Sequence, residues 1–319
     1  MNSSDLQKLA EYSRSMREAG VSLLLLCGIL AFFFLVSFAS ENTPSNTNPV
    51  SLASDQLTAP DPFAEIQLEA KAAVVYDVAT GEILYEKNSE AQLPLASLTK
   101  LLTVYAALIT LSPDTPITIP ESAVSVEGLR TFNAGQTLPL ADLARLTLTA
   151  SLNDGAMAIA SATAERENRS QNEMLAGAAA ALNLHQTYAI NGSGLDENSE
   201  VAGGYGSALD VARLAGALVK KAPSIAAATT LESAQAVSAG GTSFSVRNTD
   251  PLVNLIPHLL LSKTGYTELA GGNLALVFDV GIGHPVAVVV LGSSLKERFT
   301  DGTALVAATY AHFAGISSL

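Results

Sequence analysis

Three short clusters of polar residues stand in order along the chain and could together transfer an acyl group. They read Ser97-Leu98-Thr99-Lys100, Ser151-Leu152-Asn153 and Lys263-Thr264-Gly265. A serine hydroxyl is a weak nucleophile until a neighbouring base takes its proton, and lysine is such a base only when burial or a second cation keeps it neutral. The clusters therefore predict Ser97 as a nucleophile and Lys100 as its base.

The spacing of the first cluster fits an α-helix. Residues three positions apart lie on one helix face, so the amine of Lys100 can approach the hydroxyl of Ser97. The start of such a helix also presents backbone N–H groups and a positive dipole end to the serine. Lys263 supplies the second cation if its strand lies beside the helix start.

The second cluster follows an apolar helix pattern and precedes the next one. The hydroxyl of Ser151 can pass a proton to a leaving amine, and the amide of Asn153 can hold both Lys100 and a substrate peptide. The same two residues could instead cap the helix that begins near Asp154. Both roles can coexist.

Two other hydrolytic chemistries have weaker support. A Ser-His-Asp enzyme with a G-x-S-x-G elbow is disfavoured, because Asn191 stands where the nearest candidate needs its first glycine. No H-E-x-x-H motif occurs, the four histidines are scattered, and the only cysteine is Cys27. We therefore expect no metal site, no disulfide and no cofactor.

Hydrophobic periodicity predicts the elements that must position the clusters. Strand patterns come first, at 72–78 and 83–86, and return at 242–247, 260–264, 273–280 and 285–291. Helix patterns lie between them at 97–111, 138–148, 154–166, 171–184 and 207–221, and a last one covers 300–315. This order predicts an α+β fold, in which an antiparallel sheet collects the first and last strands and helices cover its faces.

Composition supports a folded protein with a large core and argues against a nucleic-acid-binding protein. Of 319 residues, 48% are hydrophobic and 15% are charged, so a large core is available. The formal net charge of −13 argues against a nucleic-acid partner, since binding a polyanion needs a basic surface.

The N-terminal region predicts a membrane anchor. Residues 21–39 carry no charge and are long enough to cross a bilayer, while Lys8, Arg14 and Arg17 precede them. We therefore expect residues 1–20 in the cytoplasm, one span at 21–39, a flexible linker at 40–63 and an extracytoplasmic catalytic domain at 64–319. A cleaved signal peptide is the competing interpretation, because Ser37-Phe38-Ala39 resembles a cleavage site.

From about residue 71 to 294, the chain resembles the serine-type D-Ala-D-Ala carboxypeptidases among the low-molecular-mass penicillin-binding proteins. Besides the three clusters, the matching segments are residues 74–81, 83–85, 94–96, 191–196, 207–210, 265–267 and 270–272. The resemblance implies the β-lactamase/transpeptidase-like fold and an enzyme at the bacterial cell membrane. It also implies peptidoglycan stem peptides ending in D-Ala-D-Ala as substrates and β-lactams as covalent inhibitors.

The resemblance also implies a role for each site residue. Ser97 would be the nucleophile and Lys100 its base, while Ser151 would relay the proton and Asn153 would orient the peptide. Substrate-binding positions would be Lys263, Thr264, Gly265, Tyr266, Arg247 and Arg298. The backbone N–H groups of Ser97 and Tyr266 would form the oxyanion hole, and the two arginines would be candidates for the substrate carboxylate.

Departures from the family pattern and competing activities bear on this interpretation. Leu152 replaces the small residue usual between the serine and asparagine of the second cluster, which we expect to narrow the cleft. A β-lactamase shares the clusters, but no E-x-x-x-N lies between the second and third of them. A D,D-endopeptidase or a catalytically dead peptidoglycan-binding protein could carry the same three clusters.

Overall fold

The computed structural model describes residues 61–315, and its largest sheet joins strands from both ends of that range. The strands are β1 (Ala72–Asp77), β2 (Ile83–Lys87), β3 (Leu93–Pro94), β4 (Pro116–Thr118), β5 (Thr137–Pro139), β6 (Tyr188–Ala189), β7 (Gly204–Gly206), β8 (Ser233–Val237), β9 (Ser243–Arg247), β10 (Leu259–Thr267), β11 (Gly271–Asp279) and β12 (Pro285–Ser293). The α-helices are α1 (Thr99–Thr110), α2 (Glu121–Val124), α3 (Leu140–Ala150), α4 (Asn153–Glu167), α5 (Gln171–Ala181), α6 (Ala208–Lys221), α7 (Pro223–Ala228) and α8 (Glu297–Ala314). The predicted α+β class is confirmed.

The central sheet is antiparallel and has the strand order β10-β11-β12-β1-β2. Successive residues of β1 enter different cores, because a strand alternates its side chains between the two faces of a sheet. Val74 belongs to the larger core, which the sheet shares with the helices between β2 and β10, whereas Val75 belongs to a smaller core beneath α8. The sheet therefore collects the first and last strands, as predicted.

One predicted strand lies outside this sheet. The pattern at 242–247 forms β9, which pairs with β8 in a separate two-stranded ribbon. The sequence did not reveal β8, because its inward positions are Ala234 and Ala236 and alanine gives a weak strand signal. The short pairings β4-β5 and β3-β7-β6 were missed as well, since two- or three-residue strands carry no measurable period.

The helix of the first cluster begins two residues later than predicted. Ala96–Leu98 form a 3₁₀ turn and α1 starts at Thr99, so Ser97 lies ahead of the helix and does not cap it. Ala96 has a φ of 48°, in the left-handed region, which costs a residue with a side chain about 1–2 kcal/mol. Strand β10 packs against this turn. The nucleophile is therefore held between the start of a helix and the edge strand of the sheet.

The structure does not test the predicted anchor. Residues 1–20, the span at 21–39 and most of the linker at 40–63 lie outside the described residues. Between residues 61 and 315, no helix combines the length and apolar character needed to cross a membrane. The predicted boundary at residue 64 stays a prediction.

Candidate active site

The amine of Lys100 lies at the centre of the site. Its Nζ is 2.7 Å from the Oγ of Ser97, 2.8 Å from the Oδ1 of Asn153 and 2.7 Å from the carbonyl oxygen of Ser193. The side chain is fully buried, while Ser97 stays half-buried and open to a substrate. The predicted approach of Lys100 to Ser97 is present, at a separation across which a proton can pass.

Burial makes Lys100 a usable base. Loss of solvent lowers the pKa of its amine to about 7, and the nearby Asp154 carboxylate raises that pKa in part. Asp154 is itself buried and accepts hydrogen bonds from the backbone N–H groups of Thr131 and Phe132. A substantial fraction of Lys100 is therefore neutral near neutral pH, which a general base requires.

The turn that carries Ser97 depends on two close backbone contacts. A Cβ at Gly194 would lie 2.0 Å from the carbonyl oxygen of Ala96, so no side chain fits there. A Cβ at Gly265 would lie 3.2 Å from the backbone nitrogen of Ser97. The glycine of the third cluster therefore lets β10 approach the Ser97 amide, as an oxyanion hole built from both elements requires.

The second cluster spans the junction of two helices. Ser151 ends α3 with a φ of 58° in the left-handed region, and Asn153 is the first residue of α4. Both side chains are half-buried, whereas Leu152 is 2% exposed and packs in the larger core. The expectation that Leu152 narrows the cleft was therefore wrong, because this backbone turns the leucine inward.

Asn153 is oriented from both sides. Its Oδ1 faces Lys100, and its Nδ2 donates to the carbonyl oxygen of Glu127 at 2.9 Å. The loop after α2 comes so close that a Cβ at Gly128 would lie 2.7 Å from this Nδ2. The amide nitrogen carries a second N–H, so a peptide carbonyl can bind there as predicted.

Lys263 forms a second lysine–serine pair. Its Nζ donates to the Oγ of Ser151 at 2.8 Å and to the carbonyl oxygen of Thr264 at 2.7 Å. Burial, followed by the charges of Lys100 and Arg298, lowers the pKa of Lys263 well below that of a free lysine. The charge on either lysine disfavours a proton on the other, so the two amines titrate as a pair.

The remaining predicted residues divide by burial, since Thr264 and Arg298 are buried and Tyr266 and Arg247 are exposed. Thr264 is buried and shares a 2.6 Å hydroxyl contact with Thr249, and Tyr266 is exposed at the end of the cluster. Arg247 pairs through its backbone with Ser233 of β8, while its side chain is exposed two residues before Thr249 and makes no hydrogen bond or ion pair within residues 61–315. Arg298 is buried and donates from Nη1 to the carbonyl oxygen of Gly265 at 2.6 Å, a different contact from the predicted one with a substrate carboxylate.

Sequence reasoning missed three contributors to the site. Asp154 directly follows the second cluster, and Ser193 lies in a segment noted only for its resemblance. Ser193 contributes through its backbone carbonyl, which any residue type provides, so its sequence carried no signal. Thr249 had no signal either. Within the described part of the chain, no three His, Cys, Asp or Glu side chains are grouped as metal ligands.

The model of one protein family, described as D-alanyl-D-alanine carboxypeptidase, matches residues 56–294. The chain belongs to this family. The resemblance drawn from the three clusters is thereby confirmed, as is the assignment of the chain to the serine hydrolases.

Curated relatives include members with two names. The D-alanyl-D-alanine carboxypeptidase DacF of Bacillus subtilis is 30% identical over 249 residues, which are 76% of this chain and 62% of that protein. DacD of Escherichia coli, also named a D-alanyl-D-alanine carboxypeptidase, is 27% identical over 89% of this chain and 70% of its own length. A D-alanyl-D-alanine endopeptidase of Pseudomonas aeruginosa is 29% identical over 80% of this chain and 83% of its own.

Solved structures confirm the penicillin-binding, transpeptidase-like fold. Penicillin-binding protein D2 of Listeria monocytogenes, in its cefotaxime-bound form, matches with a TM-score of 0.64 at 27% identity, over 77% of this chain and 98% of that one. The DD-transpeptidase of Streptomyces K15 matches with a TM-score of 0.67 at 22% identity, over 77% of this chain and all of that one (100%).

Proposed function

We propose that this protein is a D-Ala-D-Ala carboxypeptidase that removes the terminal D-Ala from peptidoglycan stem peptides through an acyl-enzyme on Ser97. The observation that carries the proposal is the buried Lys100 amine, held within 2.8 Å of Ser97, Asn153 and the Ser193 carbonyl. Family membership supports the substrate class, and two of the relatives above are named as this enzyme.

Acylation uses both lysine–serine pairs. The Oγ of Ser97 attacks the carbonyl carbon of the penultimate D-Ala, and its proton passes to the neutral amine of Lys100. The carbonyl oxygen becomes an oxyanion, which backbone N–H groups beside Ser97 stabilise. The peptide C–N bond then breaks, and the amine of the departing D-Ala takes a proton from Ser151, which Lys263 holds by a 2.8 Å hydrogen bond. Ser151 in turn receives the proton that Lys100 took from Ser97, so Lys100 is neutral again before deacylation begins.

Deacylation reverses the roles. A water molecule attacks the ester carbonyl while Lys100 takes its proton, and the proton returns to Ser97 as the ester bond breaks. The products are the shortened peptide and the free serine. A β-lactam would follow the same first step, because opening its ring acylates the same Oγ.

The second candidate is a D,D-endopeptidase, which would cut cross-links instead of the terminal residue. The Pseudomonas relative with that name, at 29% identity, favours keeping it. A carboxypeptidase must recognise a free carboxylate, and we propose that the exposed Arg247 is the residue that binds it. We further propose that residues 21–39 anchor the enzyme with its catalytic domain outside the bacterial cell membrane, which their uncharged character supports.

The test is to label the full chain with a fluorescent penicillin and then to digest a D-Ala-D-Ala peptide and a cross-linked muropeptide. We expect stoichiometric labelling, release of free D-Ala and little cleavage of the cross-link. Preferential cleavage of the cross-link would replace the proposal with the endopeptidase, and rapid hydrolysis of penicillin would replace it with a β-lactamase. Binding of peptidoglycan with neither labelling nor turnover would identify a dead homologue.

A further inference from the structure

Arg298 is a buried cation that the proposed reaction does not use. It is the second residue of α8 and is only 7% exposed, although an arginine at a helix start is normally solvated. Its Nη1 donates to the carbonyl oxygen of Gly265 at 2.6 Å, while its Nε is buried without a partner in the described structure. A buried charge is costly, so this placement calls for a compensating role.

The path of the side chain shows that the contact is built into the fold. A Cβ at Gly272 would lie 3.2 Å from the Cδ of Arg298 and 2.0 Å from the carbonyl oxygen of Ser294. The glycine of β11 therefore leaves the space through which the arginine reaches β10. The guanidinium carbon also lies 4.7 Å from the ring centre of Phe299, which packs against it as a cation–π partner.

Peptide geometry connects this contact to the reaction. The bond between Gly265 and Tyr266 is planar and trans, so its C=O and its N–H point in opposite directions. Arg298 holds the C=O, and the N–H of Tyr266 must then point away from the guanidinium. The same peptide lies beside the nucleophile, because a Cβ at Gly265 would be 3.2 Å from the backbone nitrogen of Ser97.

We propose that Arg298 is a positioning residue, which fixes and polarises the Gly265–Tyr266 peptide so that the Tyr266 N–H is ready to stabilise the oxyanion. The inference rests on the proposed acyl-transfer function. A charged donor on a carbonyl makes the N–H of the same peptide a stronger donor, since both share one delocalised system. Arg298 acts through Tyr266 and does not touch the substrate carboxylate.

The charge of Arg298 has a second, supporting effect. It lies close enough to Lys263 to lower the pKa of that amine, after burial and after the charge of Lys100. Asp250, buried beneath the strand and bound to the hydroxyl of Ser262, partly offsets the charge of the guanidinium. Removing Arg298 should therefore raise the pKa of Lys263 and so alter the pH dependence of acylation.

The test compares Arg298→Gln, Arg298→Lys and Arg298→Met with the control Arg166→Gln, at an exposed arginine in the last turn of α4. Acylation of the full chain by benzylpenicillin is measured by stopped flow, and inhibition is measured with a boronic acid analogue of N-acetyl-D-alanine. This boronic acid has no carboxylate, but its adduct places an oxygen in the oxyanion hole. For Arg298→Met we expect the acylation rate and the boronic acid affinity to fall together by about ten- to a hundredfold. This loss is smaller than the one that follows removal of an entire oxyanion-hole donor. Arg298→Lys should recover part of both.

Several outcomes would overturn the inference. The inference is wrong if a folded Arg298→Met or Arg298→Gln variant is acylated at the wild-type rate. It is also wrong if the affinity for the boronic acid is unchanged and only ligands that carry a carboxylate bind or react more weakly. Circular dichroism checks folding, and if the methionine variant is unfolded, the glutamine and lysine variants decide. The proposed function fails separately, since it requires the wild-type chain to be acylated at Ser97.

Discussion

The two lysine–serine pairs of the site use the same side chains in opposite backbone settings. Lys100 meets Ser97 at 2.7 Å and Lys263 meets Ser151 at 2.8 Å, and both amines are buried. Ser97, however, precedes the N-terminus of α1, whereas Ser151 follows the C-terminus of α3. A helix N-terminus favours negative charge and a C-terminus favours positive charge. The setting therefore assigns the nucleophile to the first pair and the proton relay to the second.

The serines should separate the two roles most clearly. Ser97→Ala removes the atom that bonds to the substrate, and we expect peptidase activity to fall by about 10⁴- to 10⁶-fold. Ser151→Ala removes a proton relay, for which a loss of about 10²-fold is typical. Steady-state hydrolysis of a D-Ala-D-Ala peptide measures both. Equal losses of peptidase activity would mean that Ser97 and Ser151 do not have these separate roles.

Substitution of the lysines should also reduce the rate more in the first pair than in the second, but by smaller factors than substitution of the serines. Lys100→Arg replaces the base with a guanidinium that cannot accept a proton, so acylation should fall by about 10³-fold. Lys263→Arg keeps an N–H donor beside Ser151, so its rate of acylation should fall less. Rates of benzylpenicillin acylation, with thermal melting as a control for folding, test this. If Lys100→Arg is acylated at the wild-type rate, Lys100 is not the base.

Arg247 lies outside both pairs and tests substrate recognition. A guanidinium that grips a partly desolvated carboxylate contributes about 1.5–3 kcal/mol. Arg247→Ala should then slow cleavage of a free D-Ala-D-Ala peptide by about ten- to a hundredfold, with much less effect on the same peptide amidated at its C-terminus. Similar losses of cleavage rate on both peptides would mean that Arg247 does not bind the substrate carboxylate. That result would favour the endopeptidase activity.

The pH profile should give the smallest effect. The base must be neutral, and the pKa of Lys100 is about 7, so acylation should rise as pH increases through that value. Asp154 raises this pKa, so Asp154→Asn should move the rise to lower pH. Stopped-flow acylation from pH 5 to 9 measures the shift. A rise displaced to higher pH would contradict the assignment of Lys100 as the titrating base.

The parts of the site that depend on short spacing could be predicted from the sequence. The i, i+3 relation of Ser97 and Lys100 and the loop position of Ser151 and Asn153 follow from local geometry. The structure joins Lys100 to Ser97 and Asn153 by hydrogen bonds and pairs Ser151 with Lys263. The parts that depend on packing could not be predicted. Leu152 turns inward because Ser151 adopts a left-handed conformation, and Arg298 is buried because Gly272 leaves room for it.

The main strands were predictable for a related physical reason. β11 and β12 are nine-residue runs of largely buried apolar residues, which give a strong signal. β10 was predicted only over 260–264, because its buried positions include Ser262, Lys263 and Thr264. β8 is short and carries alanines on its inner face, so the ribbon that presents Arg247 was only half predicted. The exposed rim of the cleft is therefore the region where sequence alone gives the least information.

The central claim, that Ser97 rather than Ser151 is the nucleophile, is tested most directly by mass spectrometry. The full chain is incubated with benzylpenicillin, digested, and mapped for the acylated peptide, with Ser97→Ala and Ser151→Ala as matched variants. We expect one acyl group per chain on the peptide that contains Ser97, its loss in Ser97→Ala and its slower formation in Ser151→Ala. An adduct on Ser151 or on any other serine, or an adduct that persists in Ser97→Ala, would contradict the account.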